Sequence, residues 1–156
     1  YAGNRGEYYK YDVTPLAKAP QSVGDVGIEM GEKGALAVKK LWDLFYKDAL
    51  ANPKTAASLQ VAIWEVVNEK GNGKYSLKDG NFVVTGGNFD KDLTENMLKK
   101  IADYNPAQLP NLFAYVNTTD KTHYQDFIGV PDGGVTLALL GISLGGLAFF
   151  ARRKES

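Results

Sequence analysis

Covalent chemistry needs a nucleophile and a group to activate it, and this chain is sparing with both. It has no cysteine, which removes disulfides, thiolate metal sites and a cysteine nucleophile, and its one histidine is His123. His123 sits in a polar, turn-like stretch and reads as solvated rather than ligating. Ser22, Ser58 and Ser76 lack the G-x-S-x-G setting of a nucleophile elbow. Asn88, Asp90 and Asp92 look like a fragment of a calcium loop, but the required glycine and closing glutamate are missing. Helix capping explains those acids better. Gly86-Gly87 is not followed by the Lys-Ser/Thr of a phosphate loop and reads as a turn. Glu65 and Glu69 stand one helical turn apart with Lys70 and Lys74 nearby, which reads as a solvated face. These residues lead us to expect no catalytic centre, no metal site and no cofactor: the protein is expected not to be an enzyme.

What must be positioned is therefore something other than a reaction centre. The chain has 156 residues, with 18 Lys+Arg balanced by 18 Asp+Glu. A nucleic-acid partner would normally demand a basic field, and none is present. Hydrophobic residues at 44% and aromatics at 12% suffice for a packed core. The chain opens on Tyr1 rather than Met, as expected where a leader has been removed or the gene begins further upstream.

The neutral total hides a polar distribution. Residues 135–156 carry Arg152, Arg153 and Lys154 against Glu155 alone, so the rest of the chain is slightly acidic. Immediately before this basic cluster, Val135 to Ala151 (VTLALLGISLGGLAFFA) contains no ionisable group. As a helix this run would span about 26 Å, slightly short of the ~30 Å hydrocarbon core of a bilayer. Thr136 and Ser143 can bond back to the helix backbone, so neither opposes insertion. A buried helix of a water-soluble protein is the alternative, but it would show a polar face. Gly141, Gly145 and Gly146 would each cost it ~1 kcal/mol. In a bilayer such glycines are common, and a basic stop is expected at the cytoplasmic end.

Val130-Pro131-Asp132-Gly133-Gly134 precedes the run. Pro131 removes a backbone donor and the glycine pair resists regular structure, so this segment is expected to be extended and accessible. The fixed order of Val-Pro-Asp-Gly-Gly, apolar helix and terminal Arg-Arg-Lys resembles a PEP-CTERM-type sorting signal, more closely its VPDSG/VPDGG variant. That resemblance covers Val130 to Lys154. It implies an exported protein of the bacterial cell envelope, cut near the motif by exosortase, a membrane cysteine transpeptidase. The residues it marks are Val130, Pro131, Asp132, Gly133 and Gly134, with Arg152, Arg153 and Lys154 as the membrane stop. Val135-Thr136 stands where the commoner variant continues with Ser-Thr, which leaves the subclass open.

Periodicity predicts three helices in the remaining body. Ala35 to Ala51 sets Leu41, Leu44 and Phe45 on one face. Asn52-Pro53 opens a second helix that aligns Leu59, Ala62, Ile63, Val66 and Val67, and Asn68, Gly71 and Gly73 end it. A third begins near Asp90, carries Leu93, Met97 and Ile101, and stops before Asn105-Pro106. Strands are predicted over Tyr8–Thr14, Gly80–Thr85, Leu112–Asn117 and Tyr124–Val130. Lys18 to Gly27 reads as a loop.

Within the second predicted helix, Leu59-Gln60-Val61-Ala62-Ile63-Trp64 resembles the Leu-Gln-x-Ala-Ile-Trp helix of thioester-type adhesin domains, also found in many PEP-CTERM exported proteins. Leu41-Trp42-Asp43-Leu44-Phe45 and Gln125-Asp126-Phe127 match that family more loosely. The resemblance places Gln60 on the glutamine that is joined to an upstream cysteine, with Trp64 in the same motif. The cysteine is missing from these residues, so the chain as it stands forms no thioester. A buried amide and an indole packing a helix onto a sheet is the structural reading of the pair.

The combined expectation is an α+β fold, helices packed on a small antiparallel β-sheet or sandwich, plus one C-terminal transmembrane helix. Residues 1–129 would form the exported globular region and 130–156 the signal, divided into motif (130–134), helix (135–151) and basic tail (152–156). The partners expected are the exosortase-type transpeptidase, the membrane and an extracellular polysaccharide or matrix. Two alternatives stand beside this: a covalent adhesin completed by a cysteine upstream of Tyr1, and an unprocessed single-pass membrane protein.

Overall fold

The computed structural model describes residues 9–20, 28–69, 74–78, 80, 82, 84, 86–117 and 126–130. Within them the chain is α+β, with three helices and one small antiparallel sheet. The elements are β1 (Tyr11–Pro15), a single 3-10 turn (Leu16–Lys18), α1 (Gly31–Ala51), α2 (Pro53–Asn68), α3 (Lys91–Asp103), β2 (Phe113–Asn117) and β3 (Phe127–Gly129).

α1 begins four residues before the predicted start, because two glycines hide its first turn from a propensity reading. Gly31 takes a φ of 75°, and a Cβ on Gly34 would stand 2.4 Å from Cγ of Met30. Ala35, Val38, Leu41, Trp42, Phe45 and Ala49 then form its buried stripe.

Asn52 joins α1 to α2 with no intervening loop. Its N–H donates to the carbonyl of Asp48 at 3.1 Å, closing α1. Its Oδ1 accepts from the N–H groups of Lys54 at 2.9 Å and Thr55 at 3.3 Å, opening α2 ahead of Pro53. Asn52→Ala is expected to lower stability by ~1 kcal/mol, read as an earlier midpoint in urea with unchanged slope.

α2 is the central helix, and its main packing partners are α1 and α3. Every residue from Ala57 to Ile63 is buried. The expected buried amide is present in Gln60, whereas the Trp64 indole, expected to pack the helix onto a sheet, meets Phe82 edge-on with ring centroids 6.2 Å apart. α3 starts from a polar junction built on α2. Ser58 Oγ accepts from Asp90 N–H at 3.0 Å, while Asp90 Oδ1 accepts from Leu93 N–H at 3.0 Å. Thr94 Oγ1 donates to the Asp90 carbonyl at 2.8 Å, and Ser58 and Thr94 are both fully buried. The hydroxyl in the middle of α2 thus serves the start of α3.

The sheet order is β1-β2-β3, both pairs antiparallel, with Tyr11 opposite Asn117 and Tyr115 opposite Phe127. The first and last strands therefore flank β2. One face, carrying Ala114, Val116 and Ile128, packs on the core formed with the helices. Three of the four predicted strands are present in shortened form. The fourth is not: Gly80, Phe82 and Val84, the described residues of Gly80–Thr85, lie in no strand. Phe82 and Val84 pack against the core from irregular backbone.

Candidate functional site

Two places deserve description: the exit from the sheet toward the C-terminal signal, and the buried polar face of α2. β3 ends at Gly129, and Gly129 is held tightly, since a Cβ there would lie 2.8 Å from Cε2 of Tyr115. Val130 follows, half-buried and packed against the core. The first residue of the motif is thus the last described residue, and it packs on the core rather than lying free as expected. Asp126, just before β3, accepts from Asn117 N–H through Oδ1 at 2.7 Å and fixes that strand's entry.

Pro131, Asp132, Gly133 and Gly134 lie outside the described residues, as do the apolar run 135–151 and Arg152, Arg153 and Lys154. His123, Gln125 and the glycines 71 and 73 lie outside them too. Among the described residues no helix is long and apolar enough to cross a membrane.

On α2, Gln60 is buried and its Oε1 has no hydrogen-bond partner among the described residues. Trp64, one turn on, is only half-buried. The reading of Glu65 and Glu69 as a solvated face is overturned, because both are buried, Glu65 completely. The cause lies in residues 74–78 and 80, which fold back over them. Ser76 N–H donates to Glu65 Oε1 at 2.9 Å, and Leu77 N–H donates to Glu95 Oε1 of α3 at 2.9 Å. Gly80 lies so close to the Glu69 carboxylate that a Cβ there would fall 1.9 Å from Oε1. Two carboxylates thus accept from this stretch of backbone, and a third packs closely against it.

Burial pushes the Glu65 carboxyl up to about 7. The Ser76 N–H opposes that rise, and the charges of Glu69 and Glu95 add to it. Its Oε2 has no partner among the described residues, as suits an acid kept neutral. The Tyr75 hydroxyl is likewise raised, first by burial and then by Glu69 and Glu65. Among the described residues no acidic group of three or more converges closely enough to hold a metal ion. The arrangement clasps a loop.

A sequence signal for this clasp existed. α2 is apolar nearly all round, and such a helix sits centrally. A glutamate at position 65 could then reach water only by displacing its neighbours.

Comparison with known proteins bears on the first of the two places. Residues 129–154 match the protein-family model described as VPDSG-CTERM motif. No curated protein and no solved structure matches the chain. The thioester-domain resemblance around Gln60 gains no support from these comparisons. The chain carries a C-terminal sorting signal of the PEP-CTERM type, and this supports an exported protein of the cell envelope.

Proposed function

We propose that this protein is a substrate of an exosortase-type transpeptidase rather than a catalyst. It is cut near Pro131-Asp132 and then displayed or released in a structural or adhesive role within the envelope. In this reading residues 135–151 form the membrane helix and Arg152, Arg153 and Lys154 stop export. The observation that carries the reading is the position of the motif relative to the fold: the family match starts at residue 129, where β3 ends. A cut after residue 130 leaves every strand and helix of the described residues whole.

The test is mass spectrometry of the full chain from cells with and without the transpeptidase. Loss of the C-terminal peptide only when the enzyme is present is expected, and Asp132→Ala should retain it. An intact end at Lys-Glu-Ser in the native host would show an unprocessed single-pass protein instead.

A second reading rests on Gln60, whose buried Oε1 lacks a partner among the described residues. With a cysteine supplied upstream of Tyr1, attack of its thiolate on the Gln60 carboxamide would form a thioester and release ammonia. The mature chain would then weigh one ammonia less and would couple to an added amine. A gene with no cysteine codon ahead of Tyr1 ends this reading.

A further inference from the structure

The strand register sorts the sheet into two unlike faces. Side chains alternate along a strand, and directly opposed residues share a face. Ala114, Val116 and Ile128 face the helices, so Tyr11, Val13, Pro15, Phe113, Tyr115 and Phe127 share the other side. Tyr11 and Phe127 confirm this by meeting at 5.4 Å between ring centroids, across the intervening strand. None of the six belongs to the core or to the side chains packed against it, and Val13 is 62% exposed. Asn117, opposite Tyr11, shares this face, whose four rings are half-buried; the rest is aromatic and aliphatic, and no charged residue falls in its register.

We propose that this face rests on the lipid bilayer while the C-terminal segment is still anchored. The inference depends on the reading above that 135–151 enters the membrane. The tether decides the occupant. β3 leaves the sheet at Gly129, which lies opposite Phe113, itself opposite Pro15, so the chain departs from the edge of the aromatic face. Five residues, 130–134, separate Gly129 from Val135, and the six Cα–Cα steps reach at most ~22 Å when fully extended. The sheet is thereby confined to the membrane surface. Tyrosine and phenylalanine rings present an apolar body to that interface, and tyrosine adds a polar tip for the headgroup region. A polysaccharide or a second copy would need to be brought to the face; the bilayer is already there.

The chain lacks cysteine, so Val13→Cys provides a unique attachment point at an exposed position, and Lys47→Cys on the exposed side of α1 provides the reference. Each full-length variant is nitroxide-labelled and reconstituted into vesicles of phosphatidylethanolamine and phosphatidylglycerol. Flotation of the vesicles reports anchoring. Collision of the label with oxygen or with a water-soluble nickel chelate reports contact with lipid. The expected result is co-flotation of both variants, with the label at 13 several-fold more protected from nickel than the label at 47. Co-flotation with equal nickel access at both sites would overturn the face proposal alone and leave the anchor standing. Absence of co-flotation would overturn the anchor and the face with it. Protection at 13 that persists in detergent and grows with protein concentration would assign the face to a second copy and also overturn the proposal.

Discussion

Glu65→Gln is expected to stabilise the folded chain at pH 8 by up to ~3 kcal/mol while leaving it nearly unchanged at pH 4. The folded chain keeps its Glu65 proton up to about pH 7, whereas the unfolded chain releases it near 4.5. Between those values the folded state binds more protons, so raising the pH favours unfolding. The stability from this group is complete below pH 4.5, declines through the interval and stays low above 7. Glutamine imitates the neutral acid, and its carbonyl can still accept the Ser76 N–H. Urea titrations at pH 4, 6 and 8 would show the native chain weakening with pH and the variant holding level. A native profile that rises over this range would remove the buried-acid account. Asp90 acts with the opposite sign at lower pH. The Leu93 N–H holds its carboxyl below the usual range, so its contribution fades on acidification.

Leu41→Ala should cost ~3 kcal/mol, a large part of the 5–15 kcal/mol that small domains possess. Leu41 is fully buried on α1, the helix that packs against both α2 and α3. Leu36, on the same helix, is 46% exposed, and its replacement by alanine should change stability by less than ~0.5 kcal/mol. Thermal melts of the two variants side by side make the comparison. Similar losses at both positions would mean that the α1 face is assigned wrongly.

The parts legible from sequence are those decided within a few residues. Asn52-Pro53 and Asp90 announced their helix starts because capping is local chemistry: a side-chain oxygen meets a backbone N–H two or three positions on. Alternation over Tyr8–Thr14 and the short runs Leu112–Asn117 and Tyr124–Val130 pointed to the strands found at 11–15, 113–117 and 127–129, although their pairing joins the two ends of the described chain. What failed depends on distant packing. Glu65 looks solvated until Ser76, eleven positions later, is laid over it. Phe82 and Val84 have strand-like neighbours, but here they serve as lateral packing for Trp64 and the core rather than as rungs of a ladder. The task of Ser58, receiving the Asp90 N–H, requires knowing where α3 lies. For the sorting signal the sequence order was itself the evidence, and the family match over 129–154 agrees with it.

The brevity of β3 has a mechanical consequence. Whatever pulls on the chain beyond Gly129 transmits its force to the body through three residue pairs, Phe113–Gly129, Ala114–Ile128 and Tyr115–Phe127. Traction along the strand axis loads those pairs together as a shear joint, whereas traction across it peels them one after another. The direction of drag on this protein therefore sets how firmly its last strand stays seated.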